Sequence, residues 1–164
     1  MIRHIAIALA MSAAAGPALA LSCMRPDAVR MFEYARDSDA IYYVIKGRVT
    51  PLGDYDVPEV DFDAPTSGKD VFADTPVKIS GIGLSSNGFS VPVEIGATVR
   101  LTCLSVWCAG PPNSEELLMI VEKNGDDLTL EIGPCGGTAI PWDRASEERL
   151  LQCHLSDKCV PGDL

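Results

Sequence analysis

The sequence predicts a mainly β fold: five strands closed into a small barrel, one helix near each end, and disulfide cross-links. Three observations carry that expectation. Helical apolar patterning is confined to two stretches, one after Asp27 and one after Asp143. Between them, runs rich in β-branched and aromatic residues recur, separated by Gly, Pro, Asn and Ser. Six cysteines (Cys23, Cys103, Cys108, Cys135, Cys153 and Cys159) all follow an apolar leader.

The leader has three parts. Arg3 and His4 give a positive start, Ile5 to Ala15 is an apolar run too short to span a bilayer, and Gly16-Pro17 breaks it before Ala18-Leu19-Ala20. That pattern predicts a signal peptide over residues 1–20, a mature chain beginning at Leu21, and a single domain over 21–164. No later run has the length and apolarity of a membrane helix. The expected location is therefore secreted or periplasmic, where an even cysteine count reads as three disulfides. Cysteine arithmetic leaves their pairing open. A lipid on Cys23 is the lesser alternative, because Ala20-Leu21-Ser22-Cys23 lacks the usual branched residue three places earlier and would leave an odd thiol. The chain carries thirteen Lys+Arg against twenty-three Asp+Glu, and losing Arg3 moves the net charge from −10 to −11. Such a balance argues against nucleic acid and anionic lipid as partners, since both bind through a basic face.

In chain order, Asp27 caps a helix from Ala28 to Arg36 with Val29, Met31, Phe32 and Ala35 as its apolar face. Arg36 meets the negative end of its dipole. Ile41 to Val49 is the first strand, and Gly47 within it predicts a bulge or bend. Thr50 to Thr75 reads as a long exposed loop, with an extended piece over Val60 to Phe62. Its carboxylates Asp54, Asp56, Glu59, Asp61 and Asp63 raise the question of calcium. Their spacing lacks the glycine at position six and glutamate at position twelve of an EF-hand loop. A solvated acidic loop is the plainer reading.

Pro76 to Leu84 is the second strand, closed by Ser85-Ser86-Asn87-Gly88, and Phe89 to Val93 is a short extended piece. Ala97 to Trp107 is the third main strand, followed by a Gly-Pro-Pro loop to Asn113. The stretch Glu115 to Leu151 then lays down a hairpin, Leu117 to Lys123 and Leu128 to Ile132, with a tight turn at Asn124-Gly125. Cys135 and a Pro141-Trp142 corner lead to a helix from Arg144 to His154. Asp143 caps it, and Glu147 or Glu148 favours its positive end. Five evenly spaced strands with a helix at each end suggest a small closed barrel of the OB type.

Ser114-Glu115-Glu116-Leu117-Leu118, the Asn124-Gly125 turn, Cys135 and Pro141-Trp142 with Ser146 beyond resemble the netrin-like (NTR) domain. Within that superfamily the order is most similar to the N-terminal domain of tissue inhibitors of metalloproteinases. Cys23-x-x-Pro26, the helix holding Phe32, the Ala40-to-Gly47 strand and Cys108-Ala109-Gly110 fit the same pattern. The resemblance implies an OB-fold barrel and a disulfide from Cys23 to Cys135. It also implies a protease-contacting N-terminus, here Leu21, Ser22, Cys23 and Met24, whose first amine and carbonyl chelate a protease zinc. In those inhibitors the first residue is a cysteine bonded to the position matching Cys108. Leu21 stands there instead, so Cys108 needs another partner, Cys103 being nearest in sequence, and Cys153 with Cys159 remains.

Little in the chain reads as catalytic or cofactor-binding. His154 is the one histidine after the leader, so a histidine-based triad has a single possible base, expected as an exposed helix-end residue. Cys153 beside it fits no zinc spacing. Ser85, Ser86 and Ser90 lack a glycine-flanked nucleophile elbow. Trp107 and Trp142 are expected to pack in the core or at a corner, and Gly136-Gly137 to supply backbone freedom. No catalytic residue, metal or cofactor is assigned. The expected function is an exported, disulfide-bonded protein-binding module of the NTR/OB type. The alternative is an inhibitor of a zinc metalloprotease acting through the mature N-terminus.

Overall fold

Leu117 to Val121 is apolar at every position because both faces of its strand are covered. A computed structural model describes residues 22–61, 71–113 and 115–162; the predicted signal peptide and Leu21 lie outside these. The elements are α1 (Ala28–Asp37), β1 (Ile41–Pro51), β2 (Phe72–Ser85), β3 (Gly88–Leu104), β4 (Trp107–Cys108), β5 (Leu117–Asn124), β6 (Asp127–Ile132), β7 (Ala139–Pro141) and α2 (Arg144–Ser156). The fold is mainly β, with two helices and three disulfides among the described residues.

Pairings run from β1 to β2, β3, β6 and β5, and β5 pairs β1 again. All are antiparallel except β3 with β6, which is parallel over Thr98–Leu101 and Thr129–Ile132. Leu117, Met119 and Val121 of β5 enter one apolar cluster with Ile45, Val77, Ile79, Val99, Leu101 and Leu130. Leu118 and Ile120, on the opposite face, pack against Val29, Met31 and Phe32 of α1 and Leu150 of α2. One strand thus belongs to two cores, which is why its sequence does not alternate.

Both helix caps are made as the sequence predicts. Asp27 accepts from the Val29 and Arg30 N–H groups, and Asp143 from that of Ser146. Asp27 is buried, and its second carboxylate oxygen accepts from the Gly162 N–H at 2.9 Å. Glu147 accepts from the Trp142 indole at 2.6 Å, and Lys46 Nζ lies 3.0 Å from each of its oxygens. These contacts hold α2 to the Pro-Trp corner and to β1.

Several expectations are revised. Gly47 marks no bulge: it pairs with Gly81 in unbroken register, and a Cβ on Gly47 would lie 2.8 Å from the Gly81 Cα, so the two backbones approach closely there. Phe89–Val93 and Ala97–Trp107 form one continuous strand as far as Leu104. Pro92 is tolerated because β3 pairs with β6 only from Thr98, leaving an edge free at Pro92. The third strand ends before Trp107, turning at Ser105, which adopts φ 57°. In the β5–β6 hairpin Asn124 pairs with Asp127, so the turn's central residues are Gly125-Asp126, with Gly125 at φ 63°. That is a Gly-first turn, not an Asn-Gly one. The acidic loop is shorter than expected, since β1 runs to Pro51 and β2 starts at Phe72. Val60 and Asp61 take no strand, and Phe62, Asp63, Pro65 and Gly68 lie outside the described residues. Among the described residues no three His, Cys, Asp or Glu converge as a metal site.

Candidate functional site

The N-terminal arm is fixed by chemistry before packing. Cys23 is bonded to Cys135, Cys103 to Cys108 and Cys153 to Cys159. The first bond leaves no thiol at Cys23 for a lipid. It anchors an arm in which Ser22, Cys23 and Met24 are all exposed. Gly136 and Gly137, at φ 66° and 101°, carry the chain past this bond, and a Cβ on Gly136 would press within 3.3 Å of Pro26. Two residues before Cys135, Gly133 lies beside Thr102, next to the Cys103–Cys108 hairpin. The arm and that hairpin therefore share one end of the sheet. The hairpin tip exposes Leu104 and Trp107, so Trp107, expected in the core or at a corner, is outside the core: a two-residue turn closed by a disulfide projects it outward.

A second feature, which sequence reasoning missed, lies at the other end of β1. This strand pairs with β5 over Ile41–Gly47 but with β2 only from Ile45 onward. Along Ile41–Val44 the edge facing β2 is unpaired. The cause is a register shift in the β2–β3 hairpin, where Gly83 faces Val91 but Leu84 faces Phe89. Ser90 is the extra residue, and such a bulge bends the hairpin tip. The tip peels from β1 and opens a groove of about 950 Å³. Tyr43, Val91 and Val93 line it on the side of the sheet core, and Phe32, Val44 and Leu84 on the side of the helices. Tyr43 and Val91 remain 43% and 48% exposed, a surface open to a partner.

His154 stands at the groove's floor, half-buried rather than exposed at the helix end. Its Nε2 lies 2.8 Å from the Ser85 carbonyl and its ring meets the edge of Phe32 at 5.4 Å. That contact ties α2 to the last residue of β2. The Ser85 hydroxyl is engaged elsewhere, 2.7 Å from that of Ser90, so the imidazole meets the Ser85 backbone and not its hydroxyl. Burial, then a hydrogen bond with Tyr34, raises the Tyr42 phenol well above its ordinary range, and it remains neutral at the groove wall. The groove thus offers open backbone groups between apolar walls, with Arg36 and Asp157 paired at 3.5 Å among its lining residues.

Compared with known proteins, the chain matches no family model, no curated protein and no solved structure.

Proposed function

We propose that this chain is an exported, disulfide-bonded protein-binding module with an NTR/OB-type barrel, and that it receives an extended segment of a partner protein along the free edge of β1. The strand order, returning from β5 to β1 with β3 and β6 parallel, supports the barrel. Three disulfides fit an oxidising compartment, and no helix among the described residues is long and apolar enough to cross a membrane. The observation that carries the binding reading is the unpaired Ile41–Val44 edge between two apolar walls. A free edge is a liability unless covered, and an added strand satisfies its N–H and C=O groups while alternate side chains fill the walls.

Panning a library of extended peptides tests this. Peptides alternating apolar and polar residues bind the protein, Tyr43→Glu abolishes binding, and N-methylation of alternate peptide amides does the same. Binding indifferent to N-methylation, or no binding, overturns the reading.

The inhibitor reading draws on a different observation: the Cys23–Cys135 bond pins an exposed Ser22-Cys23-Met24 arm beside an apolar hairpin tip. Leu21, which would supply the zinc-chelating amine, lies outside the described residues. N-terminal sequencing with titration against a panel of zinc proteases tests it. Inhibition lost on adding one residue before Leu21 supports it, and none at micromolar protein removes it.

A further inference from the structure

Both helices begin at a polar cavity of about 550 Å³, lined by Arg25, Arg30 and Arg149 together with Asp27, Asp143 and Ser146. Three cations in one cavity stand out on a chain of net charge −10. The two carboxylates offset two of them, and their oxygens also serve as helix caps. Asp27 Oδ1 accepts from the Val29 N–H at 2.9 Å and the Arg30 N–H at 3.2 Å, and Oδ2 accepts from the Gly162 N–H. Asp143 accepts from the Ser146 N–H at 2.8 Å and hydroxyl at 2.6 Å. Arg149 donates to the Ser146 hydroxyl at 3.1 Å and approaches Asp27 only to 3.7 Å. Its Nε–H is buried with no partner, and neither Arg25 nor Arg30 has an ion-pair partner among the described residues.

We infer that this cavity binds a small dianionic oxyanion of the phosphate or phosphate-monoester class. Charge decides the class. Three guanidinium groups against two carboxylates leave one net positive charge, and two helix N-termini add on the order of half a charge each. A dianion balances that sum and a monoanion does not. The arginine forks match tetrahedral phosphate oxygens. The site is independent of the β1 groove and holds whether or not that groove takes a peptide.

Thermal unfolding and calorimetry with the disulfide-bonded protein test this, using inorganic phosphate, glycerol 3-phosphate and acetate against sodium chloride at matched ionic strength. Phosphate raises the melting temperature saturably, acetate does not, and a response to glycerol 3-phosphate separates a monoester site from one for free phosphate. Arg25→Ala/Arg30→Ala weakens phosphate binding by at least about tenfold, since two charge-assisted contacts are lost. Arg149→Lys, which keeps the charge but not the fork, weakens it as well. Equal responses to phosphate and chloride, or an undiminished response in the double variant, overturn the inference.

Discussion

Asp27 Oδ2 accepts a hydrogen bond from the Gly162 N–H at 2.9 Å, although the two residues are 135 apart in sequence. The same carboxylate caps α1 through its other oxygen. One buried side chain therefore starts the first helix and ties down the tail that follows the second. Asp27→Ala is expected to cost about 2 kcal/mol, combining a lost cap with a lost charge-assisted bond. Asp27→Asn, which still caps, costs less. Urea unfolding measures both, and faster amide exchange at Gly162 in the alanine variant shows the tail released.

Lys46 and Glu147 form an ion pair whose side chains are only 19% and 16% exposed. The Lys46 ammonium also lies between the Phe89 and Trp142 rings, 5.6 and 5.5 Å from their centroids. Glu147→Ala strands that cation and leaves the Trp142 indole without its acceptor. A loss of about 3 kcal/mol is expected, with a red shift in Trp142 emission. Lys46→Met combined with Glu147→Leu recovers part of the loss, so a double-mutant cycle shows coupling.

Asp143 has its carboxyl held below the ordinary range, first by the Ser146 hydroxyl and then by the Ser146 backbone N–H. A depressed folded-state value stabilises above the unfolded value of about 3.9 and is lost as pH falls through the folded one. The stability gap between wild type and Asp143→Asn is therefore full at neutral pH and closes as pH drops below about 4. Asparagine is a competent cap with no carboxyl to titrate. Denaturation midpoints across an acid series measure the gap; a constant gap refutes the assignment.

Cys23–Cys135 spans 112 residues and Cys103–Cys108 only 5. On the chain-entropy account, removing the long bridge with paired alanines costs roughly 5 kcal/mol and removing the short one roughly 2. Guanidinium unfolding of both double variants checks the order. Loss of the long bridge also releases the Ser22–Met24 arm, which limited proteolysis reports.

The scaffold was legible where local chemistry speaks. Asp27 and Asp143 announce their helices because a carboxylate before an amphipathic run has few other uses. The strands of the back hairpin were readable from Gly125, although the turn's centre lies one residue later than Asn124-Gly125. What escaped was set by partners distant in sequence. Gly47 needs Gly81 opposite it, and nothing near Gly47 says so. The bulged residue is Ser90 and the glycine at the shift, Gly83, lies on the partner strand, so the open edge of β1 was invisible, and with it the role of His154 beneath Ser85. The turn at Ser105 puts a non-glycine residue at positive φ, which hid the β3–β4 hairpin and exposed Trp107 against expectation.

The place of β6 has a consequence for how the chain is made. It lies between β3 and β5, and its parallel register with β3 joins segments separated by the whole of β4 and β5. A chain emerging from its N-terminus can assemble the β1–β2–β3 meander, but β3 keeps a bare edge until residues 127–132 arrive. The partner of Cys23 comes later still. Assembly waits on contacts of large sequence separation, which fold slowly and leave apolar strand edges uncovered meanwhile. A chain that cannot finish folding until nearly all of it is present stays open for most of its synthesis, the state that the proposed export would use.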